Sequence, residues 1–133
     1  MKSIQHTLIF AALALAIATA APAWAQDSTT RKELRRVDLS GAPGMEVVLS
    51  LCEYKPGDVL PAHVHHGVEA GYVLEGGMVE VPGKQTFAIP TGAPIMNLRD
   101  VPHGFNVIGD KTIKLVTVHI VDKGKPLYDV VKR

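Results

Sequence analysis

The stretch Gly57–Gly76, with the sequence GDVLPAHVHHGVEAGYVLEG, decides the fold of this chain. Successive side chains of a β-strand point to opposite faces, so His63 and His65 project to the same side, about 6 to 7 Å apart. If the chain reverses at residues 66–67, Glu69 on the next strand points back at both imidazoles. Two imidazole nitrogens and a carboxylate oxygen suit a first-row divalent metal. The stretch therefore predicts a metal site on adjacent strands, with a fourth ligand still to be found.

Glycine and proline punctuate the rest of the chain, which has 12 Gly and 9 Pro among 133 residues. They separate short runs rich in Val, Leu, Ile and Tyr, and no stretch of helical length is amphipathic. Eight or nine such runs predict a single all-β domain, an antiparallel sandwich or barrel. One short strand ends at the histidines, and the other predicted strands span residues 35–39, 46–55, 69–75, 78–81, 85–89, 95–98, 104–108 and 112–121.

The first 25 residues have the pattern of a secretory signal peptide. A weakly positive start is followed by the apolar run 8–21, and Ala23-Trp24-Ala25 has the small-x-small form of a cleavage site. The run is short for a bilayer span, although a retained N-terminal anchor is the alternative. We therefore expect cleavage near Ala25, a periplasmic or secreted mature domain, and no stable membrane anchor.

The charge and cysteine content of the mature domain exclude some partners. Removal of residues 1–25 leaves 13 acidic and 13 basic residues, so the net charge is zero with neutral histidines. No basic patch with interleaved aromatic residues occurs, and no nucleic-acid partner is expected. Cys52 is the only cysteine, which excludes an intramolecular disulfide. A small buried hydrophobe is its expected role, with a redox function as the alternative.

The opening stretch resembles the first sequence motif of the cupin superfamily, G-x5-H-x-H-x3-E-x6-G. Gly57, His63, His65, Glu69 and Gly76 occupy its named positions. His66 belongs to the turn in this alignment and is not expected to be a ligand.

The second cupin motif, G-x5-P-x-G-x2-H-x3-N, is matched less completely. Gly92 and His103 match its glycine and histidine, but Leu98 replaces the proline and Asp100 replaces the second glycine. Asn106 falls one residue early. We prefer these substitutions to the alternative alignment, which needs an insertion of eight residues before His103.

The resemblance implies a small exported monocupin whose fold is an antiparallel double-stranded β-helix, or jelly-roll barrel. It implies that His103 joins His63, His65 and Glu69 around one divalent transition metal, with Mn, Fe, Ni, Cu and Zn as candidates. It also implies a homodimer that forms through an edge strand or the C-terminal tail. The domain plan is a signal peptide at 1–25, an N-terminal arm and edge strand at 26–45, the barrel at 46–121, and a tail at 122–133 that packs on the barrel.

Strand parity gives further candidates for the site. Lys114 should face solvent, which puts the odd-numbered residues 113–119 on the inward face of their strand. His119 is then a candidate catalytic, proton-handling group, with a plain core histidine as the alternative. Arg99 is a candidate to bind a substrate carboxylate, with a solvated loop charge as the alternative. The other side chains predicted to line the substrate pocket are those of Val47, Leu49, Val73, Met78, Met96 and Phe105.

Four protein ligands leave one or two open positions on a five- or six-coordinate metal. The leading prediction is an enzyme that acts on a small oxygen-bearing organic molecule by oxygenase or isomerase chemistry. The alternative is a non-catalytic module that binds a metal or a small ligand, because one fold carries many functions. A buried, inward general base such as His119 or Glu80 favours the enzyme. A pocket lined only by the apolar side chains named above favours the binding module.

Overall fold

The computed structural model describes residues 30–131 of the chain, which form ten β-strands and no helix. The predicted signal peptide lies outside these described residues, as does the start of the arm. Among residues 30–131 there is accordingly no helix long and apolar enough to cross a membrane. The strands are β1 (Arg31–Asp38), β2 (Met45–Tyr54), β3 (Val59–Val64), β4 (Gly67–Glu75), β5 (Gly77–Glu80), β6 (Phe87–Ile89), β7 (Pro94–Asn97), β8 (His103–Ile108), β9 (Ile113–Asp122) and β10 (Asp129–Val130).

The strands form two five-stranded antiparallel sheets. The first sheet has the order β1-β2-β9-β4-β7, and the second has the order β10-β3-β8-β5-β6. The chain crosses between the sheets at residues 65–66, so β3 and β4 lie in different sheets although only two residues separate them. The predicted all-β antiparallel jelly-roll fold is confirmed. β1 begins at Arg31, four residues before the predicted edge strand.

A polar layer separates two apolar clusters in the interior. The larger cluster contains Cys52 and Leu115, and the smaller one contains Val48 and Val121. Along β2 and β9, the inward positions between these clusters hold Ser50, Thr117 and His119, all of which are buried. The remaining buried members of the larger cluster are Tyr54, Val73, Val79, Val107 and Ile113.

The inward face of β2 is the opposite of the predicted one. The prediction places Val47 and Leu49 on the inward face, but the buried side chains are the alternate ones, among them Val48 and Ser50. The prediction was wrong because both faces of β2 are largely apolar, so hydrophobicity does not identify the inner face. The polar residues on the inner face of β2 are buried against arginines of β1.

The segment after β9 returns to the barrel. Leu127 is buried in the smaller apolar cluster, and Tyr128 packs against that cluster. β10 pairs with β3 at Val64 and His63. The C-terminal segment thus lies directly on the strand that carries the first histidines of the cupin motif.

Candidate metal centre

Glu69 lies in the middle of a row of polar side chains in the first sheet. Asn97 on β7 and His119 on β9 are its direct partners on the two neighbouring strands. Directly paired residues of an antiparallel sheet point to the same face, so all three face the interior. Asn97 Nδ2 donates a hydrogen bond to Glu69 Oε2 at 2.6 Å. His119 Nε2 lies 3.4 Å from Glu69 Oε1.

Three histidines of the second sheet face this row. His63 on β3 pairs with His103 on β8, and His65 follows the end of β3. One ligand atom of each histidine lies within 4.8 Å of one atom of each of the other two. The Nε2 atoms of His65 and His103 are both 3.4 Å from Glu69 Oε2. The structure thus brings the four predicted metal ligands together, and His119 joins them from the opposite side of Glu69.

Backbone carbonyls fix the orientation of these three rings. A carbonyl only accepts hydrogen bonds, so the Nδ1 atom of each ring must be the donor. In the neutral imidazole this leaves a lone pair on Nε2, which is how metal-binding histidines are commonly oriented. The acceptors are Pro61 O for His63 at 2.8 Å, Leu127 O for His65 at 2.7 Å, and Val101 O for His103 at 3.0 Å.

The Nε2 atoms of His65 and His103 are buried and have no hydrogen-bond partner among the described residues. They face a carboxylate oxygen of Glu69, which is also an acceptor. Lone pairs opposed at 3.4 Å repel unless a proton or a metal ion lies between them. A divalent metal resolves several such contacts at once, and imidazole nitrogen with carboxylate oxygen is a suitable donor set. The residues therefore fit a divalent transition metal.

The electrostatics of the cluster favour the deprotonated forms that a metal requires. Burial alone would raise the pKa of Glu69, but the three imidazoles around it outweigh burial and hold that pKa well below its usual range. Burial lowers the pKa of His63 to about 4 and also lowers the pKa of His119. His103 differs: burial opposes its protonation, but contact with Glu69 raises its pKa overall. At pH 7 the centre thus contains an anionic carboxylate and neutral imidazoles at His63 and His119.

The loop before His103 keeps a tight turn despite its altered sequence. Asp100, which replaces a motif glycine, has a φ of 59°, the left-handed region that aspartate tolerates better than most residues. Its backbone N–H donates to His65 O at 3.1 Å, and Val101 N–H donates to Leu98 O at 3.2 Å. The first of these bonds ties the loop that leads to His103 to the backbone of a second predicted ligand.

Most of the side chains predicted to line the pocket lie elsewhere. Val47 and Leu49 are on the outer face of β2, because the parity of that strand is reversed. Met78 and Met96 are 40% and 64% exposed. Arg99 forms a two-pronged ion pair with Asp122, at 2.7 and 3.0 Å, on the surface. The guanidinium of Arg99 is thereby occupied by a carboxylate of this chain.

Val73 and Phe105 belong to the apolar core. Val73 is fully buried in the larger cluster, and Phe105 packs against that cluster with its ring edge-on to Tyr54 at 5.2 Å. His66 lies in the bend between β3 and β4, as expected, and its Nε2 atom contacts Asp129 Oδ2 at 2.8 Å. Glu80, the other candidate base, is exposed.

The cavity beside the cluster is small, about 40 Å³. Its walls include His119 and three of the predicted ligands, His63, His65 and Glu69, together with Arg31, Cys52, Tyr54 and Tyr128. Arg31, Cys52, Tyr54, Tyr128 and Asn97 were not predicted as site residues from the sequence. Their recognition requires the pairing of β1 with β2 and of β4 with β7, which local spacing does not specify. The sequence feature that could have indicated a polar inner face on β2 is Ser50, a polar residue within the otherwise apolar run 47–52.

Comparison with known proteins adds the family. The model of the cupin domain family matches residues 50–119. The chain belongs to the cupin family. The matched region contains all four predicted ligands and ends at His119. The whole cluster therefore lies within the residues that match the family. A comparison with curated protein sequences gives no match.

Solved structures with the same fold include proteins of several kinds. The polyketide cyclase RemF from Streptomyces resistomycificus is 28% identical over 70% of this chain and 75% of its own, with a TM-score of 0.53. A cupin-like protein from Thermotoga maritima is 20% identical over 76% of this chain and 74% of its own, with a TM-score of 0.55. Oxalate oxidase in complex with the substrate analogue glycolate is 18% identical over 90% of this chain and 63% of its own, with a TM-score of 0.51.

We predict that Asn97→Ala weakens metal binding by about tenfold, a typical effect for a residue that orients a ligand carboxylate. The amide of Asn97 holds Glu69 Oε2, so its removal frees the carboxylate to rotate. Asn106→Ala, on β8 and outside the cluster, is the matched control and should leave the affinity unchanged. Competition of each variant with a chromogenic chelator measures the effect. Equal affinities for the two variants would contradict a positioning role for Asn97.

Proposed function

We propose that this cupin holds one divalent transition metal through His63, His65, Glu69 and His103 and acts on a small oxygen-bearing organic molecule. The main support is the pair of buried Nε2 atoms that face Glu69 Oε2 at 3.4 Å while their Nδ1 atoms are held by backbone carbonyls. Mn, Fe, Ni, Cu and Zn all accept this donor set.

The residues around the ligands support a catalytic role. A bound metal would supply Lewis-acid chemistry, and a redox-active metal would add electron transfer. His119 is 2% exposed, faces the cluster, and is neutral at pH 7 because burial lowers its pKa. A neutral imidazole can accept a proton from a substrate, and Glu69 Oε1 then stabilises the imidazolium.

Two reaction classes are compatible with these groups. In an isomerase, His119 removes a proton from one atom of the substrate and returns it to another. In an oxygenase, His119 removes the proton of a substrate hydroxyl. The 28% identity with a polyketide cyclase supports an enzymatic role for this chain.

A non-catalytic binding module is the second candidate. The cavity of about 40 Å³ is far smaller than the ~300 to 1,000 Å³ typical of sites for drug-sized ligands. Such a cavity suits a metal with a very small ligand, which a carrier or sensor could bind without turnover. The inward position of His119 favours the enzyme.

The outer face of the first sheet supports a homodimer. Three rows of apolar side chains cross β2, β9 and β4 on this face, and two of these rows continue onto β7. Tyr72, Met96 and Ile120 are among the exposed members. Large exposed apolar patches mark interaction surfaces, and one patch can serve both copies across a two-fold axis. We define the outer apolar face as residues Val47, Leu49, Leu51, Val68, Ala70, Tyr72, Pro94, Met96, Val116, Val118 and Ile120.

The predicted metal content is about one transition-metal equivalent per chain in protein purified from its native compartment, measured by elemental analysis. His63→Ala removes a ligand and should lower the content markedly, because three ligands bind less tightly than four. His66→Ala is the control. His66 is three residues from His63 but contacts Asp129 outside the cluster, so this variant should retain the metal. A native sample with less than about a tenth of an equivalent would exclude the metal centre.

The predicted location is the periplasm or the exterior of the cell. The apolar run at 8–21 and the Ala23-Trp24-Ala25 site support export with cleavage after Ala25. N-terminal sequencing of the native protein should then begin at Gln26. A sequence that begins at Met1 would show that the segment is retained.

We predict a dimer at micromolar concentration in light scattering, and a monomer for Val118→Glu, which places a charge in the middle of the outer apolar face. Val59→Glu makes the same change at a 61% exposed valine of the second sheet and should remain dimeric. Burial of an unpaired carboxylate in an interface is costly, whereas the control carboxylate stays in water. A monomeric parent protein would rule out the proposed dimer.

A further inference from the structure

The segment that follows β9 forms one wall of the cavity beside the candidate metal centre. Leu127 and Tyr128 line this cavity together with His63, Glu69 and His119. Its volume of about 40 Å³ is far below the ~300 Å³ at which sites for drug-sized ligands begin. An organic substrate that approaches the metal from this side therefore requires one of the walls to move.

The wall with the shortest β-ladder is the C-terminal strap, which we define as residues 125–131. Its strand β10 pairs with β3 at only two residues, the shortest ladder among the described residues, whereas β2 and β9 pair over ten. Beyond that ladder, Val131 N–H donates to Ala62 O at 2.8 Å, and the side chains of Asp129 and His66 are in contact. Segments with short ladders and few buried groups open at a free energy well below that of global unfolding.

One apolar side chain anchors the strap to the barrel. Leu127 is 5% exposed and lies in the smaller apolar cluster. The residues before it, 123–125, are exposed, and Gly124 lies in a turn with a φ of 77°. Lys123 N–H donates to Gly44 O at 2.8 Å, which fixes the end of β9. The strap can therefore pivot at this turn, with release of Leu127, while β9 keeps its place in the sheet.

The strap also contacts two of the predicted metal ligands. Leu127 O accepts a hydrogen bond from His65 Nδ1 at 2.7 Å, and the ring of Tyr128 lies 5.1 Å from the ring of His63. A metal on Nε2 of His65 would withdraw electrons from the ring and make its Nδ1–H a stronger donor. Metal binding would then strengthen the bond that holds the strap, and by linkage a closed strap would strengthen metal binding.

We propose that the C-terminal strap opens locally about the turn at Gly124 to admit a substrate from the cavity side, and that the bond between His65 and Leu127 favours closure when the metal is bound. The opening is argued from the fold alone. Its coupling to the metal rests on the proposed metal centre. The strap thus controls access to the proposed site.

Alkylation of Cys52 by N-ethylmaleimide measures the opening. Cys52 is the only cysteine of the chain, is 2% exposed and lines the cavity, which is too small for the reagent. Mass spectrometry of the peptide that contains Cys52 gives the labelling rate in metal-free protein at increasing urea concentration. Local opening predicts a rate that is constant at low urea and rises only where global unfolding dominates. A rate that follows global unfolding at every urea concentration overturns the strap.

Leu127→Ala removes the apolar anchor of the strap. It should raise the labelling rate at low urea by about 30-fold or more, the equilibrium factor at the lower end of Leu→Ala changes in protein cores. Val79→Ala, at a fully buried position of β5 outside the cavity walls, is the control. This control should lower the global stability and leave the low-urea rate unchanged. Equal low-urea rates in the two variants overturn the strap.

A disulfide between Val64→Cys and Asp129→Cys tests the opening with the anchor in place, and so covers a failure of Leu127→Ala to fold. The two residues are direct partners, whose Cα atoms lie ~4.5 to 5.5 Å apart in antiparallel strands, within the range of a disulfide. The oxidised tether should slow Cys52 labelling at low urea by about tenfold or more, because exposure then requires global unfolding. Reduction should restore the rate.

A disulfide between Lys32→Cys and Leu51→Cys is the matched control. It ties β1 to β2 at the other edge of the barrel and should leave the low-urea rate of Cys52 labelling unchanged. Slow labelling with this tether, and parental labelling with the tether of the strap, would show that the cavity opens at β1 and would overturn the strap.

The same labelling in cobalt(II)-loaded protein tests the coupling to the metal. Bound cobalt should slow Cys52 labelling at low urea, and its absorption spectrum should show no bond to a thiolate. A thiolate band, or an unchanged rate with cobalt bound, overturns the coupling. A protein that takes up no cobalt contradicts the proposed metal centre, whereas labelling of the metal-free protein still decides whether the strap opens.

Discussion

The contact between the Glu69 carboxylate and three imidazoles is the constraint on which the rest of the structure depends. Its oxygens lie 3.4 Å from nitrogens of His65, His103 and His119, which come from both sheets. His65 and His119 are buried, and Glu69 and His103 are mostly buried, so their mutual arrangement is stable only if each lone pair meets a proton or a metal. A bound metal would offset the cost of the polar layer, and its binding free energy would then add directly to the free energy of folding.

The elements around the cluster are arranged to hold the rings in place. Leu127 O and Val101 O, both outside the ladders of regular strands, accept hydrogen bonds from His65 and His103. The C-terminal segment is kept near His65 by the burial of Leu127 and by the pairing of β10 with β3. A ligand geometry that depends on a tail and a loop is therefore fixed only when the whole barrel has closed.

The sequence predicted the part of the site that depends on local spacing. The two-residue period of a strand put His63 and His65 together, and the same period along β9 correctly put His119 on the inward face. It gave the wrong inner face for β2, because Val47 and Val48 are equally apolar and the decisive partners, arginines of β1, are distant in sequence. Arg31 was overlooked for a related reason: in a run of charged residues, local pattern predicts a solvated arm, and only the pairing of β1 with β2 buries one of its side chains.

The alternation in β2 and β9 accounts for both faces of the first sheet. The inward positions of these strands include Ser50, Thr117 and His119, whereas the paired outward positions are Val, Leu and Ile. The inner face of these strands thus has a polar layer between apolar clusters, whereas the outer face is apolar where a solvated sheet is usually polar. The proposed metal would stabilise the inner face, and the proposed dimer would remove the outer face from water. Because Glu69 and His119 lie on the same strands as the outer apolar face, a second copy packed on that face would also restrain the spacing of the metal ligands.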